Sequence, residues 1–271
     1  MKGTKLPEET GQDILVERRE AVATVTFNRP AQRNAISYEM WQELGRVARA
    51  LSEDDSIRVV VFRGAGSDAF SAGADIKDFE RHRYDSASAR KYGDVLDFAM
   101  DAVETMPKPT ISMIQGFCVG GGLEFAAATD LRIAATGSRF GVPVAKIGIV
   151  AGYKEMRRMV ALCGPGNAAY IVLTGDLVES EEAFRMGLLN KVTDPASLEA
   201  EVYGLADKIS ALAPVSHADH KAIIRTVLRN PGLQDMTAEE KALPFRVFDT
   251  EDFRIGTSAF VDKTRPEFKG R

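Results

Sequence analysis

The chain has 271 residues, 45% of them hydrophobic and 27% charged, a composition typical of a globular protein with room for a substantial core. A formal net charge of -4 argues against a nucleic-acid partner, and no apolar run is long enough to span a membrane. Cys118 and Cys163 form neither a disulfide framework nor a metal-ligand pattern, and Met1–Glu9 carry no targeting signal, so we expect a cytoplasmic protein without a bound metal.

Strand-like and helix-like segments alternate through most of the chain. The first predicted elements are a hairpin over 14–17 and 21–27, a helix capped by Ser37 that reaches Leu51, a strand over 58–63 and a loop over 64–68. They are followed by a long helix from 86 or 87 to 106, a strand over 110–115, a short helix over 123–129 and a strand over 131–135. This alternation predicts βαβ units, and therefore an α/β fold with a mainly parallel sheet.

The pattern changes after about residue 195, where only helical segments follow. They are predicted over 197–212, 215–228, 237–249 and 253–261. We therefore divide the chain into a core over 1–195 and a helical segment over 196–271, which we expect to pack on a neighbouring subunit or to cover a site.

The most unusual stretch is Gly120-Gly121-Gly122, which lies between the 110–115 strand and the short helix and is followed by Glu124. Glycine destabilises a helix by about 1 kcal/mol relative to alanine, so three glycines at a helix entrance require a cause. In one interpretation, their bare N–H groups approach an oxygen that carries negative charge, with Glu124 beside it as a base. In the other, the glycines only permit close packing and Glu124 only complements the helix dipole. These residues alone favour neither interpretation.

Two further motifs resemble known sites but lack the required context. Residues 64–69 match the glycine spacing of a dinucleotide-binding loop, but no amphipathic helix follows them. Ser71 lies in a stretch similar to a nucleophile elbow, which would require a histidine partner and a helix directly after the turn. The histidines are His82, His217 and His220, and the last two lie on a polar face of a C-terminal helix where we expect solvent exposure.

Several motifs, in order along the chain, resemble the crotonase superfamily, the enoyl-CoA hydratase/isomerase family. They cover the chain from about residue 14 to its C-terminus. The matching stretches are Thr26–Pro30, Arg33–Ile36, Val59–Gly64, Ala69–Ile76, Lys108–Ile111, Gly116–Glu124, Thr129–Ala135, Asp249–Phe253 and Ala259–Lys263.

The resemblance implies a spiral core of ββα units with a C-terminal all-helical segment that assembles trimers or dimers of trimers. It also implies an acyl-CoA substrate whose thioester enolate is stabilised by the enzyme, with no cofactor beyond the coenzyme A of the substrate. In the family, two main-chain N–H groups hold the enolate oxygen, and the matching positions are Ala72 and Gly121. Each donor of this kind contributes about 3 kcal/mol of transition-state stabilisation.

The resemblance also implies a set of substrate contacts. Two loops match coenzyme A-binding segments, and two C-terminal positions match residues that reach the coenzyme A of a neighbouring subunit. The implied binding residues are Arg33, Asn34, Ala35, Ile36, Ala72, Gly73, Ala74, Asp75, Ile76, Gly120, Val144, Phe260 and Lys263.

Hydratases of the family generally use two glutamates, one to activate water and one to deliver a proton to Cα. Glu124 matches the first, whereas Val144 occupies the position of the second and cannot transfer a proton. Addition of water to a 2-enoyl-CoA is the leading hypothesis. Double-bond isomerisation, decarboxylation of an acyl-CoA and non-catalytic acyl-CoA binding stay open.

The departure at Val144 directs attention to the residues just downstream, where the family is usually glycine-rich. One of Tyr153, Lys154 and Glu155 could supply a replacement polar group. Because polar residues are common at helix starts, we expect these three to form an exposed start of the next helix instead.

Overall fold

A computed structural model describes residues 12–271, so the predicted absence of a targeting signal over Met1–Glu9 lies outside the described residues. The strands are β1 (Ile14–Arg19), β2 (Val22–Phe27), β3 (Val59–Gly64), β4 (Ala69–Ser71), β5 (Thr110–Ile114), β6 (Phe117–Val119), β7 (Leu131–Ala135), β8 (Arg139–Gly141), β9 (Val178–Glu179) and β10 (Lys191–Thr193). The helices are α1 (Tyr38–Glu53), α2 (Phe79–His82), α3 (Ser86–Glu104), α4 (Gly121–Ala128), α5 (Tyr153–Thr174), α6 (Ser180–Arg185), α7 (Leu198–Ser210), α8 (Pro214–Arg229), α9 (Ala238–Arg246) and α10 (Glu251–Asp262).

The larger sheet has six strands in the order β1-β2-β3-β5-β7-β10. Only the β1–β2 hairpin is antiparallel, and every other pair is parallel. The predicted parallel sheet is confirmed. Strands β2, β3 and β5 are almost wholly buried, because helices cover the sheet on both faces.

A smaller sheet, in the order β4-β6-β8-β9, was not predicted from periodicity. Its strands have only two or three residues, too few to show a period of two. Strands β3 and β4, β5 and β6, and β7 and β8 each form a consecutive pair that precedes a helix. The expected spiral of ββα units is therefore confirmed.

The helices pack on the two faces of the larger sheet. Helix α1 is capped by Ser37, whose Oγ accepts a hydrogen bond from the Met40 amide at 3.2 Å, and it packs against α3. On the other face, Leu198, Val202 and Ala206 of α7 bury against strands β2, β3, β5 and β7. Helix α7 thus completes the core, while the division of the chain after residue 195 stays a prediction.

The C-terminal part is helical, as expected, and it exposes several large apolar side chains. Among the described residues, no helix combines the length and the apolar character needed to cross a lipid bilayer. Phe245, Phe248, Phe260 and Val261 are each more than half exposed on or beside α9 and α10.

Candidate active site

A cavity of about 290 Å³ lies where the β4–α2 loop, the glycine turn and the start of α5 meet. It contains Glu124 and several of the backbone positions predicted for binding. The predicted residues that line it are Ala72, Gly73, Ala74, Ile76, Gly120, Gly121, Glu124 and Val144. The spiral fold therefore brings together the two segments, about fifty residues apart, that the sequence singled out.

The three consecutive glycines have three different causes. Gly120 has φ 53° and ψ -127°, a conformation open to glycine that turns the chain from β6 into α4. Gly121 is the first helical residue and lines the cavity. Gly122 leaves no room for a side chain, since a Cβ there would lie 2.6 Å from the Ser71 carbonyl oxygen. The close-packing interpretation therefore applies to Gly122, while the contact between a glycine N–H and a negatively charged oxygen stays a prediction.

Glu124 lies on the first turn of α4, a helix whose eight residues are all buried. Burial, and then repulsion from Glu155, raise the pKa of the Glu124 carboxyl from 4.5 to about 7, while Arg83 and Arg158 oppose the shift. Within residues 12–271, no hydrogen bond or ion pair engages this carboxylate. A carboxylate that titrates near neutral pH and faces a cavity is suited to proton transfer.

The predicted donor at Ala72 is wrong. The Ala72 amide donates a hydrogen bond to the Arg33 carbonyl oxygen at 2.9 Å, so it is not free to hold a ligand oxygen. Two residues further on, Ala74 is held by its neighbours: the Ile36 amide donates to the Gly73 oxygen at 2.8 Å, and the Asp75 amide donates to the Ile36 oxygen at 2.9 Å. Among the described residues, the Ala74 amide itself has no hydrogen-bond partner.

The Ala74 and Gly121 amides are neighbours at the cavity. A Cβ built on Gly121 would lie 3.4 Å from the Ala74 nitrogen, and a Cβ built on Gly73 would lie 2.9 Å from the Gly121 nitrogen. Like the Ala74 amide, the Gly121 amide has no hydrogen-bond partner in the described part of the chain. The pair of unpartnered N–H groups is therefore Ala74 and Gly121, where the sequence had indicated Ala72 and Gly121.

Glu155 corrects a second expectation. Tyr153 is almost fully exposed, and Lys154 pairs with Asp97 and Asp101, but Glu155 is only 4% exposed and lines the cavity with Glu124. The signal that could have identified it is helical spacing, since Glu155, Arg158 and Met159 recur at i, i+3 and i+4 and are all buried.

The segment from α2 to α3 forms another part of the cavity lining. Phe79, Arg83, Tyr92 and Leu96 contribute to it. The Arg83 guanidinium packs over the Phe79 ring at 5.0 Å and over the Tyr92 ring at 5.4 Å. This part of the cavity is mostly apolar, and its one cation partly offsets the two carboxylates.

Other predicted binding residues shape the loops without lining the cavity. The Asn34 side chain is buried; its oxygen accepts from the Arg29 amide, and its nitrogen donates to the Ala65 and Ala69 oxygens. Asp75 pairs with Arg29 at 2.9 Å. Asn34 and Asp75 therefore hold the loops in place. Arg33 is exposed and packs over the Phe117 ring, Ala35 is half-buried, and Ile36 is buried beside Ala74.

Phe260 and Lys263 lie outside the cavity of their own chain. Phe260 is 87% exposed near the end of α10, and Lys263 ends that helix in the left-handed conformation. Their predicted contact with the coenzyme A of a neighbouring subunit stays a prediction.

The alternative motifs do not assemble a site. Ser71 is buried and accepts a hydrogen bond from the Gly73 amide, while His82 stacks on Tyr38. His220 is exposed as expected, but His217 is half-buried and lines a second, larger cavity of about 630 Å³ between α5 and α8. That cavity includes neither Glu124 nor the glycine turn, so its larger volume does not make it the better candidate.

The chain is similar to known proteins over almost its whole length. A family model described as enoyl-CoA hydratase/isomerase matches residues 17–271. A crotonyl-CoA hydratase of Syntrophomonas wolfei is 32% identical over 95% of this chain and 98% of that protein, and a short-chain-enoyl-CoA hydratase of Clostridium acetobutylicum is 33% identical over 96% and 98%. The crystal structure of an enoyl-CoA hydratase/carnithine racemase from Magnetospirillum magneticum superposes with a TM-score of 0.93 at 38% identity, covering 97% of each chain.

Proposed function

The chain belongs to the enoyl-CoA hydratase/isomerase family, and on this premise we propose that it adds water to the double bond of a 2-enoyl-CoA. The observation that carries the proposal is the meeting, in one cavity, of an unpartnered buried carboxylate at Glu124 and two unpartnered amides at Ala74 and Gly121. The names of two relatives, a crotonyl-CoA hydratase and a short-chain-enoyl-CoA hydratase, support the choice of reaction.

The two amides act on the thioester carbonyl. When the water oxygen bonds to C3, the electrons of the double bond move toward the carbonyl oxygen and leave an enolate. N–H groups that are already oriented and excluded from water stabilise this charge without reorganisation, and each contributes about 3 kcal/mol. Ala74 and Gly121 meet the first requirement, because the peptide groups around them are fixed by hydrogen bonds and by the start of α4.

Glu124 acts on the water. A pKa near 7 leaves a substantial fraction of this carboxyl ionised at neutral pH, and the ionised form can accept a proton as water attacks C3. C2 must then receive a proton to complete the addition. Phe79, Tyr92 and Leu96 form a mostly apolar part of the cavity lining. This lining fits an acyl group whose hydrocarbon part lies against α2 and α3.

The proposed reaction is tested by incubating the protein with crotonyl-CoA, a 3-enoyl-CoA and malonyl-CoA and measuring the masses of the products. We expect crotonyl-CoA to gain one water. A 3-enoyl-CoA that changes its double-bond position without a change in mass would identify an isomerase, and exclusive loss of CO2 from malonyl-CoA would eliminate the hydratase. Binding of all three esters without turnover would leave a non-catalytic acyl-CoA binder.

We also propose that the chain forms a homotrimer or a dimer of trimers through its C-terminal helices. Support comes from the exposed aromatic side chains of this segment, which a stable monomer would rarely leave in water. The two free, buried cysteines accord with a reducing, cytoplasmic setting.

Sedimentation equilibrium should give three or six times the 29.5 kDa mass of the chain. Replacing Phe245 and Phe248 together by Glu should shift the distribution toward monomer, because both side chains are more than half exposed on one chain and would bring charge into the contact. Lys241→Glu, on the same helix, changes charge without removing an aromatic ring and is the matched control. An unchanged mass in the double variant would contradict this placement of the interface.

A further inference from the structure

We propose that Glu155 is the second acid–base residue of the reaction and performs the proton transfer that Val144 cannot perform. The inference rests on the proposed function, since it names a second group for the same site. It differs from the arrangement that the family resemblance implies, because the carboxylate comes from the first turn of α5 instead of from the segment that contains Val144.

The position of Glu155 follows from the geometry of α5. Tyr153 and Lys154 face outward, and a further rotation of about 100° brings Glu155 onto the buried stripe that continues through Arg158 and Met159. Its carboxylate also bends back over Gly152, where any Cβ would collide with the Glu155 Oε2 atom. A residue with a side chain at position 152 would therefore displace the carboxylate from the place it occupies.

In the described part of the chain, Glu155 has no structural partner that would explain its burial. Its nearest cation on the same helix face, Arg158, is already engaged by Asp101 at 2.6 Å and Glu104 at 2.7 Å. Within residues 12–271, no hydrogen bond or ion pair engages the Glu155 carboxylate. Burying an unpaired carboxylate is unfavourable, so a carboxylate that faces a cavity under these conditions points to a use with a bound ligand.

Glu155 and Glu124 line the same cavity together with Val144 and the Ala74 and Gly121 amides. The two carboxylates are close enough to repel, and this repulsion is the second-largest cause of the raised pKa of Glu124. Arg83, which directly follows α2, also lines the cavity, and its positive charge partly offsets the repulsion. The hydration uses the state in which the pair holds one proton, with Glu124 ionised and Glu155 protonated.

This arrangement supplies both proton transfers of a hydration. Ionised Glu124 takes a proton from water as the water oxygen forms its bond to C3, and the double-bond electrons move into the enolate. Protonated Glu155 then gives its proton to C2, and the enolate electron pair forms the new C2–H bond. One water has been added, and the proton now on Glu124 returns to Glu155 through solvent before the next cycle.

The test compares Glu155→Gln and Glu155→Asp with the wild-type protein on crotonyl-CoA. We expect Glu155→Gln to lower kcat by about 10²–10⁴-fold, the usual contribution of a general acid or base, with KM changed much less. Glu155→Asp, which keeps the carboxyl group, should retain part of the activity. Lys154→Gln, at the adjacent surface position, is the matched control and should leave kcat unchanged.

The pH profile of kcat/KM separates a catalytic from a merely structural role. The wild-type profile should have a limb near pH 7 that reports the ionisation of Glu124. In Glu155→Gln this limb should move to lower pH, because the negative charge that raises the pKa of Glu124 is gone.

A relocated carboxylate provides the second test. The double variant Val144→Glu with Glu155→Ala places the acid where hydratases of the family generally carry it, and it should regain at least tenfold in kcat over Glu155→Ala alone. No gain would overturn the claim that Glu155 takes over the role of position 144. Wild-type kcat in Glu155→Gln, or a loss of activity that leaves the limb near pH 7 unmoved, would overturn the proposal while leaving the hydratase assignment intact. Absence of wild-type turnover would remove the proposed function and, with it, this inference.

Discussion

Replacing Glu124 with Gln should lower kcat for hydration of crotonyl-CoA by about 10²–10⁴-fold, because the amide cannot accept a proton from the attacking water. KM should change little, since the side chain is nearly isosteric and the two amides that hold the thioester oxygen are untouched. Steady-state kinetics by loss of the enoyl absorbance, with product mass as confirmation, measure the effect. Wild-type turnover in this variant would show that Glu124 has no catalytic role.

The same variant should also change the pH dependence of the free energy of unfolding. Burial raises the pKa of Glu124 from 4.5 in the unfolded chain to about 7 in the folded protein. The folded state therefore binds this proton more tightly, and the stabilisation present below pH 4.5 is lost as pH rises toward 7, by about 3 kcal/mol in total. Glu124→Gln avoids this loss. Its free energy of unfolding should match the wild-type value near pH 4 and exceed it at pH 8, as urea titrations at the two pH values would measure.

Gly73→Ala should lower kcat/KM by at least 10²-fold, a loss on the scale of one oxyanion donor. Gly73 has φ 95°, a conformation that alanine rarely adopts, and its new Cβ would lie 2.8 Å from the Val119 oxygen and 2.9 Å from the Gly121 nitrogen. Both are backbone atoms, so the loop must move. The movement would displace the Ala74 and Gly121 amides relative to each other and would cover the Gly121 N–H.

Gly137→Ala is the matched control, because Gly137 also has a positive φ, 81°, but a Cβ there would meet nothing within 4 Å. It should reproduce the conformational cost, on the order of 1–2 kcal/mol, without the loss of activity. Kinetics and thermal unfolding of both variants would separate the two effects. Equal kcat/KM in the two alanine variants would contradict the role given to the Gly73–Gly121 contact.

Regular elements with clear local signals could be predicted well. The apolar spacing of α1 with its Ser37 cap and the β-branched run of β3 each lie within a short window, and α1, β3 and α3 appear close to their expected bounds. The short strands β4, β6 and β8 carry no such signal, because three residues cannot display a period.

The site was predicted in part. The glycine turn and the family resemblance together indicated Glu124 and Gly121, but the resemblance placed the partner amide at Ala72, and Glu155 was expected to be exposed. Glu155 has the right helical phase with Arg158 and Met159 to be buried, yet phase alone does not say whether the buried stripe meets a core or a cavity. That depends on where the crossover from β8 brings the start of α5.

Short-range sequence was thus sufficient for the α/β architecture, for the turn at Gly120 and for a carboxylate beside it, because helix phase and a positive φ are properties of neighbouring residues. The folded chain alone decided which amides stay free. The Ala72 N–H donates a hydrogen bond to the Arg33 carbonyl oxygen, thirty-nine positions earlier in the chain. The Ala74 N–H has no hydrogen-bond partner among the described residues. A backbone N–H stays available to a ligand only when the acceptors around it bond to other donors. Those acceptors come from distant parts of the chain, so no local sequence pattern predicts which N–H is left.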